Sequence, residues 1–441
     1  MSFFEYYRCP EIPAFALKGN PNGTKGFFRF GPGAVCFGQV SGNVRPYVNG
    51  NLFDASKAVE LGSGSVHLPF DASAVLDNLR YERYVTSGTG WLDGEWAKEA
   101  YYTMRPFLPV TLRKHLQRLY LRGWQSQNFP AWPVDRSADV VAEQLMTLSL
   151  RALNTPRMPF IWFWPEGRTA CAIVTHDVET KAGRDWTGKL MEIDESFGLK
   201  ASIQIVPEKR YSVRPEFLEM IRSRGFEVNV HGLDHDGNLF HDRASFLEHA
   251  KRINEYALAF QARGFRSPTM YRNPDWFQDL NFSYDMSVPN VARLEPQRGG
   301  CCTVMPYFLP GGMLELPLTT TQDYTLFHVL NDYSTGLWKQ QIDLIVKKRG
   351  LVSLIIHPDY VFSDRAQRVY KELLEKVTSL QSNDTVWVTL PGSVNEWWRQ
   401  RQAMKLVRTE SGWKIEGEGS ERARLAYAYL EQDQLCYEVS K

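Results

Sequence analysis

Cysteine is scarce in this chain. Cys9, Cys36, Cys171, Cys301, Cys302 and Cys436 are the only six in 441 residues, and no two are spaced Cys-x-x-Cys. That usage argues against a disulfide framework, and the vicinal Cys301–Cys302 pair bridges itself only with strain. A surplus of charge of one sign is also missing: 51 Lys and Arg stand against 50 Asp and Glu, a formal net charge of +1. Such balance speaks against a nucleic-acid partner and against a charged interaction tail. No run of about 18 apolar residues occurs, so no integral membrane segment is expected. The opening MSFFEYYRCPEIPAFALKGN has no basic stretch leading into an apolar one. No secretory signal is read there, and the cytoplasm is the expected compartment. Fixed-period repeats and low-complexity tracts are absent too. The sequence sets no oligomeric state.

What is present is an ordinary globular composition, 43% hydrophobic and 23% charged, with 13 Trp, 20 Tyr and 25 Phe. Such chains bury a core without disulfides. The aromatic supply suits a lined cleft as well as a large core. At roughly 150 residues per domain, the length suggests about two or three domains. Residues 1–105 read as a β-rich N-terminal domain: GFFRFGPGAVCFGQV (Gly26–Val40) places two short runs around a Gly-Pro-Gly turn. Residues 106–163 read as a helical connector. PVTLRKHLQRLYLRGWQ and SADVVAEQLMTLSLRAL carry helical spacing, and the proline-rich NFPAWPVD separates them. The first of these, basic and amphipathic, suits a face packed on a neighbouring domain or a membrane surface.

From 164 to 400 the chain alternates apolar runs with amphipathic helices. The runs are ACAIVTHD, KASIQIV, FEVNVHG, GFRSP, LELPLTT, LVSLIIH and TVWVTL. Alternation of this kind implies parallel βα units. About seven runs predict an α/β fold with a distorted parallel (β/α)7-type barrel. Residues 401–441 return to alternating patterns and read as a small C-terminal β appendage.

Ionisable residues gather at the ends of the runs. ACAIVTHDVE reaches His176, Asp177 and Glu179; FEVNVHGLDH reaches His231 and His235; GFRSP carries Arg266; LELPLTTTQDY reaches Asp323; LVSLIIH ends in His357. The C-terminal face of a parallel barrel is where chemistry is assembled. His231 and His235 are spaced i, i+4, which suits two imidazoles on one metal, and Glu179 adds a carboxylate. By itself the pair also fits two surface or capping histidines.

Taken in order, these motifs resemble the polysaccharide deacetylase domain named after the NodB chitooligosaccharide deacetylases, carbohydrate esterase family 4, over roughly Trp164 to Arg399. Thr175-His176-Asp177-Val178 matches the first motif, usually Thr-Phe-Asp-Asp, with Asp177 in the place of the catalytic base. Val178 replaces a metal-binding Asp. Some members read Asp-Val-Asp, and Glu179 occupies that last place. His231-Gly232-Leu233-Asp234-His235 resembles the second motif, with Gly where a small hydroxyl residue is usual. Arg266-Ser267-Pro268 resembles the third, Asp323-Tyr324 the fourth and Leu354-Ile355-Ile356-His357 the fifth.

The resemblance implies a metal-dependent N-deacetylase. Glu179, His231 and His235 would hold a divalent ion, Zn²⁺ before others, that polarises an N-acetyl carbonyl and acidifies water. It also implies Asp177 as base, Arg266 steadying it, His357 as general acid and Asp323 keeping that imidazole charged. The expected substrate is an N-acetylated glycan or a lipid- or nucleotide-linked sugar. Cleavage of a non-sugar amide or ureide bond, and a non-catalytic glycan-binding scaffold, are the competing readings. His176 reads as packing, Cys301–Cys302 as small buried residues. Tyr271, Arg272 and Trp276 suit either a sugar cleft or the core. The N-terminal region is expected near the barrel mouth.

Overall fold

The computed structural model describes residues 3–21, 23–85, 121, 123–410 and 412–440. The helix expected from residue 109 lies, up to 120, outside the described residues, as does 86–105 of the N-terminal region.

Nine strands make one sheet. They are β1 Ala170–Val178, β2 Ser202–Ile205, β3 Glu227–His231, β4 Gly264–Arg266, β5 Tyr284–Asp285, β6 Tyr307–Phe308, β7 Leu314–Glu315, β8 Leu351–Ile355 and β9 Val386–Val388. Their order is β6-β7-β5-β4-β3-β2-β1-β8, with β9 also on β1. Every pairing is parallel except β6 with β7. Helices α1 Lys181–Ser196, α2 Pro215–Ser223, α3 Arg243–Ala259, α4 Gly336–Lys347, α5 Asp364–Ser382 and α6 Pro391–Ala403 alternate with the strands. The α/β fold with a distorted parallel barrel expected from the alternation is therefore present. All seven runs are strands; β5 and β6, two residues each, carry too little periodicity to read.

Local chemistry explains the boundaries. Thr180, Asp242 and Ser363 cap α1, α3 and α5 by accepting from backbone N–H groups. Proline opens α2 and α6, where its missing N–H costs nothing. β1 is buried along its whole length, as a strand covered on both faces must be.

The barrel does not close by a backbone ladder. No strand pairing joins β7 to β8 among the described residues. Two threonines beyond β7 span the seam instead. Thr319 Oγ1 donates to the Leu351 carbonyl at 2.7 Å and accepts from the Ser353 N–H at 2.9 Å. Thr320 Oγ1 donates to the Ser353 carbonyl at 2.7 Å.

Alternate residues of β1 feed two cores. Ala172 and Val174 join one, with Leu190, Phe246, Trp338 and Leu373 of the helical layer. Cys171 and Ile173 join the other. This second core also takes in Phe28, Leu79, Met146, Phe160, Trp398 and Ala426, so the N- and C-terminal segments share it with the barrel. The N-terminal region holds the expected hairpin, Gly26–Arg29 with Val35–Gly38, and a helix, Ala72–Arg80. Ser137–Ala152 is helical. The strand Arg157–Ile161 that follows pairs antiparallel with Leu425–Glu431 of the C-terminal hairpin. All six cysteines are free thiols, five of them buried. No helix among the described residues is long and apolar enough to cross a membrane.

Candidate active site

The inward row of β1 turns polar at its end. After Cys171 and Ile173 come Thr175 and Asp177 at the same alternation, and Glu179 follows one residue past the strand. Parallel neighbours bring other ends alongside: β3 stops at His231, β4 at Arg266, and His357 follows β8.

Asp177 is fully buried, and its Oδ1 accepts from Arg266 Nη1 at 2.8 Å. The same nitrogen donates to Thr175 Oγ1 at 2.7 Å, and Arg266 Nε donates to the Met286 carbonyl at 3.0 Å. Burial alone would raise the Asp177 carboxyl. The charge of Arg266, joined by His357 and, at acid pH, by His231, outweighs burial and holds it below the ordinary carboxylate value. Asp177 is thus an ionised acceptor in a dry site.

His357 is tied to Asp323 twice: Nδ1 lies 2.6 Å from Oδ1, and its backbone N–H donates to Oδ2 at 2.8 Å. Burial works against the charged imidazole, but Asp323 more than offsets it, with help from Glu179 and Asp177, and the pKa is pushed up to about 10. The free edge of the ring faces the site, with Nε2 3.6 Å from Glu179 Oε1 and 4.0 Å from Asp177 Oδ2.

Glu179, His231 and His235 each offer one ligand atom, all within 4.8 Å of one another. His231 Nδ1 donates to the Arg266 carbonyl at 3.1 Å, which turns Nε2 into the site as a lone pair. Burial is the main reason its pKa falls to about 4, so the ring is neutral at pH 7. His235 Nε2 pairs with Glu179 Oε1 at 2.9 Å, and its Nδ1 lies 3.3 Å from Arg210 Nη2; His231 Nε2 is buried and makes no hydrogen bond. A buried imidazole nitrogen without a hydrogen bond, beside a second imidazole paired with a carboxylate, is a donor set that a cation would satisfy. Burial would raise the Glu179 carboxyl, but His235 and the other imidazoles hold it well below its ordinary value.

The loop carrying His235 needs Gly232. Its φ is +62°, and a Cβ there would come 2.4 Å from the Pro268 ring. Glycine at this place is dictated by the close approach of Arg266-Ser267-Pro268.

All seven residues singled out in the sequence, Asp177, Glu179, His231, His235, Arg266, Asp323 and His357, therefore meet at one end of the barrel. His176 turns away: its Nδ1 lies 3.0 Å from the Ile356 carbonyl and its Nε2 2.9 Å from Asp194 Oδ2, while Asp194 also accepts from Tyr370. Arg272 does not line a cleft; it is buried in an ion pair with Glu82, Nε to Oε2 at 2.6 Å. Trp276 packs on Phe240 and Phe246. Sequence reasoning missed Thr175 as a partner of Arg266. It also missed Tyr360, whose hydroxyl reaches Glu179 Oε2 at 3.3 Å. Thr175 sits two residues before Asp177 and so shares its face, a signal that alternation offers.

No family model matches the chain, and no curated protein matches it. Among solved structures it is similar to a protein described as a polysaccharide deacetylase from Mycobacterium smegmatis, with 20% identity over 57% of this chain and 98% of that one and a TM-score of 0.46. An allantoinase is 12% identical over 54% of this chain and 92% of its own, with a TM-score of 0.41. The peptidoglycan deacetylase PdaC from Bacillus subtilis is 14% identical over 53% and 94%, with a TM-score of 0.34. The chemistry rests on the side chains described above.

Proposed function

We propose that the chain is a metal-dependent hydrolase that removes the acetyl group from nitrogen on an N-acetylated glycan or a lipid- or nucleotide-linked sugar. One observation carries the reading: the unbonded, buried His231 Nε2 stands in one ligand cluster with His235 and Glu179, beside an Arg-held Asp and an Asp-held His.

Glu179, His231 and His235 would hold the ion, and two imidazoles with one carboxylate suit catalytic Zn²⁺. When bound, such an ion polarises an acyl oxygen and makes water more acidic. The rest belongs to this chain. Asp177, ionised by Arg266, accepts the proton of the attacking water. Arg266 fixes which oxygen of Asp177 is occupied and leaves Oδ2 to face the site. His357, charged by Asp323, delivers a proton to the leaving nitrogen, so the amine departs neutral rather than as an amide anion. Burial of Asp177, Arg266, Asp323 and His357 excludes bulk water from them and strengthens each charge interaction. Residues 164–400 carry this chemistry, and the described residues of the flanking segments share a core with them.

The test is acetate release by the purified full chain from chitooligosaccharides, peptidoglycan fragments and nucleotide-linked N-acetyl sugars. Release from at least one, abolished by chelation and restored by Zn²⁺, is expected. Absence of release from all three, with turnover of a non-sugar amide or ureide instead, contradicts the glycan reading.

A further inference from the structure

A glutamate reaches the ligand cluster on three rotatable bonds, and its last torsion is broad. Something must decide which oxygen faces the histidines. The turn Pro358–Tyr360, directly after His357, grips Glu179 at both ends. At the backbone end, the Glu179 N–H donates to Asp359 Oδ2 at 3.3 Å, and the Thr180 hydroxyl donates to the same carboxylate. At the carboxylate end, the Tyr360 hydroxyl donates to Glu179 Oε2 at 3.3 Å, while Oε1 lies 2.9 Å from His235 Nε2. The two oxygens thus have different partners.

The Tyr360 ring is itself fixed. Its centroid lies 4.9 Å from that of His357, 4.9 Å from His328 and 5.2 Å from Tyr324. A carboxylate oxygen only accepts, so the phenol O–H stands as the donor in this contact. A donor on one carboxylate oxygen sets the rotation of the other, which is how partners behind a ligand tune a metal site.

We propose that Tyr360 is a positioning residue for the third metal ligand: its hydroxyl holds Oε2 of Glu179 so that Oε1 faces His231 and His235. The inference rests on the ligand set proposed above. It makes the turn after His357 serve both halves of the site, the proton donor through residue 357 and the ligand through residue 360.

The test uses the full chain stripped by a chelator and titrated with Zn²⁺ by calorimetry. Co²⁺ follows, because its visible spectrum reports ligand geometry. Tyr360→Phe keeps the ring against His357 and removes only the hydroxyl. It should weaken Zn²⁺ binding about tenfold and alter the Co²⁺ spectrum. In a Glu179→Ala background the same change should cost nothing more, because the carboxylate it holds is gone. Binding by Tyr360→Phe within about twofold of wild type with an unchanged spectrum overturns the proposal, as does an equal loss in both backgrounds. A wild-type chain that takes up neither ion overturns the ligand set itself, and the Tyr360 role with it.

Discussion

One guanidinium organises the proposed base. Arg266 spends Nη1 on Asp177 and Thr175 and Nε on the Met286 carbonyl, so the carboxylate cannot rotate without breaking a buried, charge-assisted bond. Asp177→Asn keeps the shape and removes the basic carboxylate that takes the proton. Acetate release should fall by about 10²–10⁴ with Zn²⁺ still bound, measured as steady-state rate beside metal content; unchanged release contradicts the assigned base. His357 gives a pH prediction. Its pKa is raised on folding to about 10. Its charge, and the stability its pairing adds, are present below the ordinary histidine value and are lost as pH rises through the raised one. Asp323→Asn removes the carboxylate and leaves burial, which lowers the pKa. The alkaline limb of kcat/KM should therefore move to lower pH by more than about one unit. An unmoved limb separates Asp323 from the proton donor.

At the scale of elements, the barrel depends on a seam that is not a ladder. Thr319→Val keeps the volume but strips partners from the buried Ser353 N–H and Leu351 carbonyl. A loss of about 1–3 kcal/mol is expected in urea unfolding, and a change near zero contradicts the role of the hydroxyls. Asp285 and Glu315 stand opposite each other across β5 and β7, both fully buried. Burial first, then the charge of Asp285, pushes the Glu315 carboxyl well above its ordinary value. An acid raised on folding costs stability as pH climbs past the ordinary carboxylate range. Glu315→Gln should therefore lose less stability than wild type between about pH 5 and about pH 8. Equal slopes in denaturation midpoint against pH contradict this. These elements also mark how far the sequence is legible. Seven strands and the helices between them follow from apolar runs, capping residues and spacing. β5 and β6 are too short for periodicity, and the threonine seam joins residues more than thirty apart by side chain alone. The seven candidate residues were legible as a group because each stands near or beyond the C-terminal end of an apolar run. Tyr360 was not, since a tyrosine three residues past His357 carries no pattern of its own.

At the scale of the whole molecule, the flanking segments are bound to the barrel by specific pairs as well as by a shared apolar core. Glu82 ties the N-terminal region to Arg272, beyond β4, and also accepts from the Gly300 N–H at 2.5 Å. The Tyr84 hydroxyl donates to the Gly300 carbonyl at 2.7 Å, and Arg401 reaches back to the carbonyls of Tyr6 and Ile161. Glu82 and Tyr84 thus meet the segments that follow β4 and β5. Glu82→Ala strands a buried guanidinium and should cost about 3–5 kcal/mol by chemical denaturation, while metal ligation in the folded fraction is unaffected. If Glu179, His231 and His235 form a metal site, elemental analysis of the purified full chain should find one divalent ion per wild-type chain and its loss in His231→Ala. A wild type without metal, or a variant that keeps the full complement, contradicts it.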